Sequence, residues 1–409
     1  MLNYTLFFYK YQLYKEIILK ICFAVCEYNP FHNGHLKHLN YIREKIKPDC
    51  IAVIMSGNFT QRGEIAILDK YTRAMHAIKA GADIVFELPT VFATAPAEIF
   101  AKGGVKLASA LSGENVLCFG TESAEKEKLI STASALLNES REFKKLYKEE
   151  LKTGVTTIKA KVNALTKMQI ENLDFDLLKT PNNILGIEYA KAVIEYKSNI
   201  DLHPILREGA GYNDDTLYKG ISSASAIRKA ILEGKYKKTK TALPKFVFDD
   251  IKPKIPNADE LIFYSVIKED KENLANILDC TEGLENRIKG LIKNSSSLEE
   301  LKDKLKTKRY TYTRISRILL SCFLQIEEKF IRKCLLSDLY LKVLAVNKDK
   351  LNLLSTLSQS SKYPIITRKK DADKLEGIAK ECFIKDVFAN DVYNFVAKIK
   401  TNEYEMKII

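Results

Sequence analysis

His32, His35 and His38 recur at intervals of three residues in the run Cys22-Phe-Ala-Val-Cys-Glu-Tyr-Asn-Pro-Phe-His-Asn-Gly-His-Leu-Lys-His38. Imidazoles so placed can donate to anionic oxygens, carry a proton or ligate a metal. Zinc is disfavoured, because no acidic or cysteine ligand stands nearby in a matching pattern. The elements around them sharpen the choice. Residues 21–26 are almost wholly apolar and predict a strand covered on both faces. Asn29 and Pro30 stop it, Asn33-Gly34 supplies turn chemistry, and Leu36, Leu39 and Ile42 continue at helical spacing. The histidines therefore fall where a strand hands over to a helix. Backbone N–H groups and the positive dipole end gather there and favour phosphate. Gly34 admits a ligand close to the backbone. Each ring taken alone could equally be structural.

The chain has 409 residues, enough for two or three domains, and its 46% hydrophobic and 29% charged content is that of a globular protein. A formal charge of +13 points to a polyanionic partner such as RNA, although a lysine-rich composition alone gives the same sign. The eight cysteines are scattered, with no CxxC pair, and read as reduced small hydrophobes of a cytoplasmic protein. Residues 1–20 read as an N-terminal extension, lacking the apolar core and cleavage site of a targeting signal. No stretch is long and apolar enough to span a bilayer, so no membrane partner is expected.

Apolar runs at 50–55, 83–89, 116–120 and 203–207 alternate with helical patterns at 69–80, 96–112 and 187–196. This alternation predicts an α/β fold with a parallel sheet and right-handed crossovers. Ligands of such sheets lie beyond the carboxyl ends of the strands, and the unusual loops 27–35, 56–64, 87–96 and 120–123 all fall there. A charged helical insertion occupies about 124–180. The glycines of Glu208-Gly-Ala-Gly-Tyr-Asn213 suit a loop close to a ligand. A basic linker begins at Lys235, and residues 235–409 read as a helical, basic domain. Within it Lys308, Arg309, Tyr310, Tyr312 and Arg314 interleave charge with aromatic rings. That pattern suits RNA backbone contact and base stacking, or simply the solvated start of a helix.

His32-Asn-Gly-His35 resembles the HxGH signature of the nucleotidyltransferase superfamily. The longer string Glu27-Tyr-Asn-Pro-Phe-His-Asn-Gly-His35 resembles the tRNA(Met) cytidine acetate ligase family, and the likeness continues along most of the chain. It implies a Rossmann-like nucleotidyltransferase domain over 21–234 and a tRNA-binding helical domain after it. It implies ATP contacts from Val25, Cys26, Glu27, Tyr28, Asn29, Pro30, Phe31, His32, Asn33, Gly34, His35, Leu36, Lys37 and His38. Gly103, Arg207 and an asparagine of Thr180-Pro-Asn-Asn-Ile-Leu-Gly186 join them, taken as Asn182 from its spacing to the arginine. The segment Ser56-Gly-Asn-Phe-Thr-Gln-Arg-Gly63 is expected to border the pocket. Gly220-Ile-Ser-Ser-Ala-Ser-Ala-Ile-Arg228 resembles the superfamily's ISSxxxR element, in which Ser223 and Arg228 would hold the distal phosphates and Ser222 or Ser223 would cap a helix. The implied reaction activates acetate with ATP as acetyl-adenylate and transfers the acetyl group to the wobble cytidine of elongator tRNA(Met). His32, His35, Ser223 and Arg228 would be its catalytic residues, and Mg²⁺ would accompany ATP without a recognisable set of protein ligands. Two other readings share these motifs: a metabolic nucleotidyltransferase acting on a nicotinamide or pantetheine nucleotide, and a non-catalytic RNA-binding protein.

Overall fold

A computed structural model describes residues 18–137, 140–155, 157–168, 175–207, 220, 222–252 and 255–409. Most of the expected N-terminal extension and the glycine-bearing stretch 208–213 lie outside them. The elements that position the site are β1 (Lys20–Cys26), α1 (Asn33–Tyr41), β2 (Cys50–Ser56), α2 (Lys70–Lys79), β3 (Ile84–Leu88), α3 (Ala97–Ala108), β4 (Glu114–Thr121), α4 (Pro181–Glu195), β5 (Asp201–Leu206), α5 (Ala224–Leu232), α6 (Tyr312–Leu324), β6 (Leu341–Val346), β7 (Ile365–Ile366), α7 (Gly377–Ala397) and β8 (Lys407–Ile408). The strands form one sheet in the order β5-β4-β1-β2-β3-β6-β7, with β8 also on β6.

β1 to β5 are mutually parallel, and every residue of β2 is buried. Helices cover both faces of β1 to β4, which is why those strands are largely apolar without alternation, whereas β5 at the edge is mostly half-buried or exposed. In β1, Ile21 and Phe23 join one core while Cys22 and Ala24 join the other. Pro204 is tolerated because β5 is the edge strand of the sheet. The order reverses direction at β1, with β2 on one side and β4 on the other. A crevice opens at such a switch point, beyond the carboxyl ends of the strands.

Local chemistry sets the helix starts. Asp69 caps α2, its Oδ1 accepting from Tyr71 and Thr72 N–H at 3.0 Å. α4 begins at Pro181, several residues before the helix expected over 187–196, because proline suits the first helical position. The insertion contributes helices Lys126–Leu137, Arg141–Lys152 and Thr157–Lys167.

The second half, read as several helices, also contributes three strands. β6 lies antiparallel to β3, and β7 and β8 pair with β6. A buried quartet of charges links β6 to β3 and α2. Lys70 and Lys342 contact Glu87 at 2.7 and 2.9 Å, and both also contact Glu403; all four side chains are at most 3% exposed. Two cations and two carboxylates leave no net buried charge, the condition under which such burial is tolerated. Residues 257–340 remain helical, while the expected linker forms a 3-10 turn, Tyr236–Thr241, tied to the histidine turn through Ala242. Among the described residues no helix is long and apolar enough to cross a membrane.

Candidate active site

The chain leaves β1 through Glu27 and Tyr28, the latter in the left-handed region with φ 47°, and passes a cis Asn29–Pro30 bond into α1. His32 is the N-cap of α1. Its Nδ1 accepts from Gly34 N–H at 3.1 Å, and His35 Nδ1 accepts from His32 N–H at 3.2 Å. The two rings stack with centroids 3.6 Å apart and planes 21° from parallel. A nitrogen that accepts carries no proton, so each neutral ring holds its proton on Nε2 and offers that N–H as a donor. Tyr28 packs edge-on to Phe31 and also touches His35, each at 4.7 Å between centroids, fixing the His35 ring from below.

Burial holds these imidazoles neutral. The pKa of His32 is pushed down to about 3 by burial and by the Arg207 and Arg228 charges. His35 is lowered by burial, then by His32 and Arg207, and His38 is lowered to about 4 by burial, then by Arg207 and His203. His38 Nε2 lies 3.3 Å from Cys118 Sγ.

These groups open on a cavity of about 520 Å³ at the switch point. On its far side, Arg207 Nη1 donates to Asn182 Oδ1 at 2.8 Å, and Asn182 Nδ2 donates to Glu122 Oε1 at 2.5 Å. The ends of β4 and β5 are thereby tied to the start of α4. Gly120 is required here, since a Cβ would stand 2.8 Å from Arg207 Cγ. From α5, Ser223 caps the helix by accepting from Ala226 N–H at 3.0 Å, and Arg228 Nη1 donates to Asn29 O at 2.9 Å. Arg228 also meets Glu64 at 3.4 Å. The arrangement gathers the guanidinium groups of Arg62, Arg207 and Arg228, the N-termini of α1, α4 and α5 and neutral imidazole donors around one space. It can bind an extended polyanion and stabilise charge that develops on phosphate oxygens.

The structure brings most of the expected residues to this cavity: Val25, Cys26, Glu27, Tyr28, Asn29, His32, Gly34, His35, Lys37, His38, Asn182, Arg207, Ser223 and Arg228 line it. Asn183 turns inward instead, accepting from Glu122 N–H at 2.9 Å. Five expected residues do not line it. Phe31 is fully buried in the core, Pro30 is buried, and Leu36 packs on the core beneath α1. Asn33 spends its side-chain amide on Gly220 O and Thr241 O at 2.8 and 3.0 Å. Gly103 faces Phe92, where a Cβ would stand 2.6 Å away, so its smallness serves helix packing. Gly120, Tyr41, Phe119 and Tyr189 line the cavity without having been singled out as site residues. A glycine at the end of a strand beside the switch point was the available signal for Gly120.

The lip of the cavity is a tight hairpin over 58–66. Thr60 N–H donates to Glu64 O at 3.0 Å and Gly63 N–H to Thr60 O at 2.9 Å. Gln61 and Arg62 face the cavity. Gly63, with φ 74°, abuts α6 so closely that a Cβ would lie 2.5 Å from Arg317 N and from Ser316 C. The hairpin thus joins the pocket to the helix that follows the basic segment.

Within that segment the residues divide. Lys308 and Arg309 are exposed, and Arg309 pairs with Glu282 at 2.6 Å. Tyr312 is half-buried with Lys302 over its ring. Tyr310 departs from its expected part in base stacking: it is buried, donates to Glu282 O at 3.2 Å, and is covered by the Arg314 guanidinium. Arg314 is half-buried and donates to Asp279 O at 2.6 Å and to Thr281 Oγ1 at 3.0 Å. Both serve the helix junction.

A family model described as HIGH Nucleotidyl Transferase matches residues 19–407. A tRNA(Met) cytidine acetate ligase of Thermosipho melanesiensis is 37% identical over 399 residues, spanning 92% of this chain and 94% of the relative. One from Fervidobacterium nodosum is 36% identical, spanning 96% and 99%. Crystal structures of Thermotoga maritima TmcAL, 30% identical, superpose with TM-scores of 0.89 without ligand and 0.85 bound with alpha-thio ATP, each covering 95% of this chain and 99% and 100% of that one. With a family model over residues 19–407 and relatives 36–37% identical across more than nine-tenths of its length, the chain belongs to the tRNA(Met) cytidine acetate ligase family.

Proposed function

We propose that this chain is an ATP-dependent ligase that activates acetate as acetyl-adenylate and passes the acetyl group to N4 of the wobble cytidine of elongator tRNA(Met). The observation that carries the reading is the pair of neutral imidazoles whose Nδ1 atoms both accept backbone N–H groups, leaving Nε2–H donors at a helix N-terminus inside the cavity. Such donors match phosphate oxygens and cost no reorganisation when charge moves.

ATP occupies the cavity with its phosphates along α1 and α5. An acetate oxygen attacks the α-phosphorus, and pyrophosphate leaves. No covalent nucleophile is required of the protein, so positioning and charge stabilisation do the work. His32 and His35 donate to phosphate oxygens, while Arg228 and the α5 N-terminus receive the distal end. Asn182 and Arg207 contact the nucleotide from the opposite wall. Among the described residues no group of three or more His, Cys, Asp or Glu could cage a metal. Mg²⁺ would accompany the triphosphate and offset part of its charge. The exposed Lys308 and Arg309 contact the tRNA backbone, with the unstacked anticodon base reaching the cavity past the 58–66 hairpin.

The test is incubation with ATP, acetate and tRNA, followed by nucleoside mass analysis. N4-acetylcytidine that requires all three components supports the reading. Pyrophosphate release stimulated by a nicotinamide or pantetheine nucleotide in place of acetate would replace it with a metabolic transferase.

A further inference from the structure

The cavity is built for anions, yet Glu27 stands in its wall as the one carboxylate among the described lining residues. A carboxylate there repels both triphosphate and acetate; Arg228 and Arg62 offset part of its charge, and it remains the group in the wall able to accept a proton as a carboxylate. The side chain is also held with unusual care. Glu27 Oε1 accepts from Gln61 N–H at 2.7 Å. Its backbone oxygen accepts from Arg73 Nη1 at 2.5 Å. Arg73 is completely buried and spends its other donors on Ser56 O at 3.1 Å, Leu68 O at 3.0 Å and Gly57 O. One guanidinium thus locks the exits of β1 and β2 together. The Gln61 hairpin is braced in turn by Gly63 on α6. Glu27 is therefore fixed from the sheet and from the side on which the basic segment lies.

Of the reactants, cytidine is the one that must lose an N–H proton. Its N4 lone pair is delocalised into the ring, and the bond to carbon forms only as that proton departs. Building on the acetate-activation reading above, we propose that Glu27 is the general base of the transfer half-reaction. N4 attacks the acetyl carbonyl carbon, and the C–N bond forms. The acyl C–O bond to phosphate breaks, AMP leaves with that electron pair, and the N4 proton passes to the Glu27 carboxylate. The proton returns to solvent when AMP departs. Burial raises the pKa of Glu27, against the opposing pull of Arg228, of the Gln61 N–H and of Arg62, which strengthens it as a base.

The test separates the two halves of the reaction in the full chain. Acetate-dependent exchange between ATP and labelled pyrophosphate, without tRNA, reads activation. Single-turnover acetylation of tRNA from synthetic acetyl-adenylate reads transfer. Glu27→Gln keeps an acceptor for Gln61 but cannot take a proton, so transfer slows about 100-fold or more while exchange falls by less than about tenfold. Glu27→Asp, which keeps a carboxylate, recovers transfer to within about tenfold of wild type. Equal losses in the two assays for Glu27→Gln would make Glu27 a nucleotide contact and overturn the proposal, as would Glu27→Asp no faster than Glu27→Gln. A wild type without exchange overturns the activation reading and this assignment together. A wild type that exchanges, with Glu27→Gln transferring at its rate, overturns this assignment alone.

Discussion

The rings of His32 and His35 lie face to face at 3.6 Å, each with Nδ1 committed to a main-chain N–H of the same helical turn. Two imidazolium ions at that spacing would repel in a site already bearing Arg207 and Arg228. The folded protein therefore favours neutral rings, and this ties its stability to pH.

The sign follows from the lowered pKa values. An unfolded histidine titrates near about 6.5, whereas His38 is held near about 4 and His32 near about 3. Between those limits the unfolded chain binds more protons, so stability is full above about pH 6.5 and is lost as the pH falls toward 4. Each buried neutral ring contributes up to about 1.4 kcal/mol per pH unit in that window. Urea midpoints at about pH 6.5 and 5 should fall more steeply for wild type than for His38→Gln. Equal slopes would mean that His38 titrates normally in the folded state.

The quartet of Lys70, Glu87, Lys342 and Glu403 offers a second measurement. Lys342→Met strands a net negative charge in the core and should destabilise by about 3–5 kcal/mol. Lys342→Met with Glu403→Gln leaves the neutral Lys70–Glu87 pair and should regain much of that loss. Additive destabilisation in the double variant would show that the four groups do not act as one unit.

RNA contact is tested by salt dependence. Lys308→Ala with Arg309→Ala should weaken tRNA binding and lower the slope of log affinity against log salt by about 1–2. Tyr310→Ala should instead lower the unfolding midpoint, because its ring is enclosed by the fold. An unchanged salt slope in the double variant would move the RNA surface elsewhere.

How much of this could be read from residues alone depends on how local each cause is. β1 to β4 were legible because strands buried on both faces are apolar runs, and the junction at His32 because turn residues announce it. β6 was not. Lys342 interrupts it, and its burial depends on Glu87, 255 residues earlier in the chain. Gly103 and Gly120 look alike in sequence, and only the pairing of β4 with β5 shows which one lies beside Arg207. Tyr310 and Tyr312 differ for a similar reason. The helix starts at Tyr312, which leaves Tyr310 folded under Arg314.

The central claim is that the two imidazoles grip the triphosphate while acetate is adenylylated. Acetate-dependent ATP–pyrophosphate exchange by His32→Asn measures this most directly, because asparagine can still cap α1 but has no Nε2–H. Exchange should fall by about 100-fold or more with the unfolding midpoint nearly unchanged. Exchange at the wild-type rate in that variant would contradict the account.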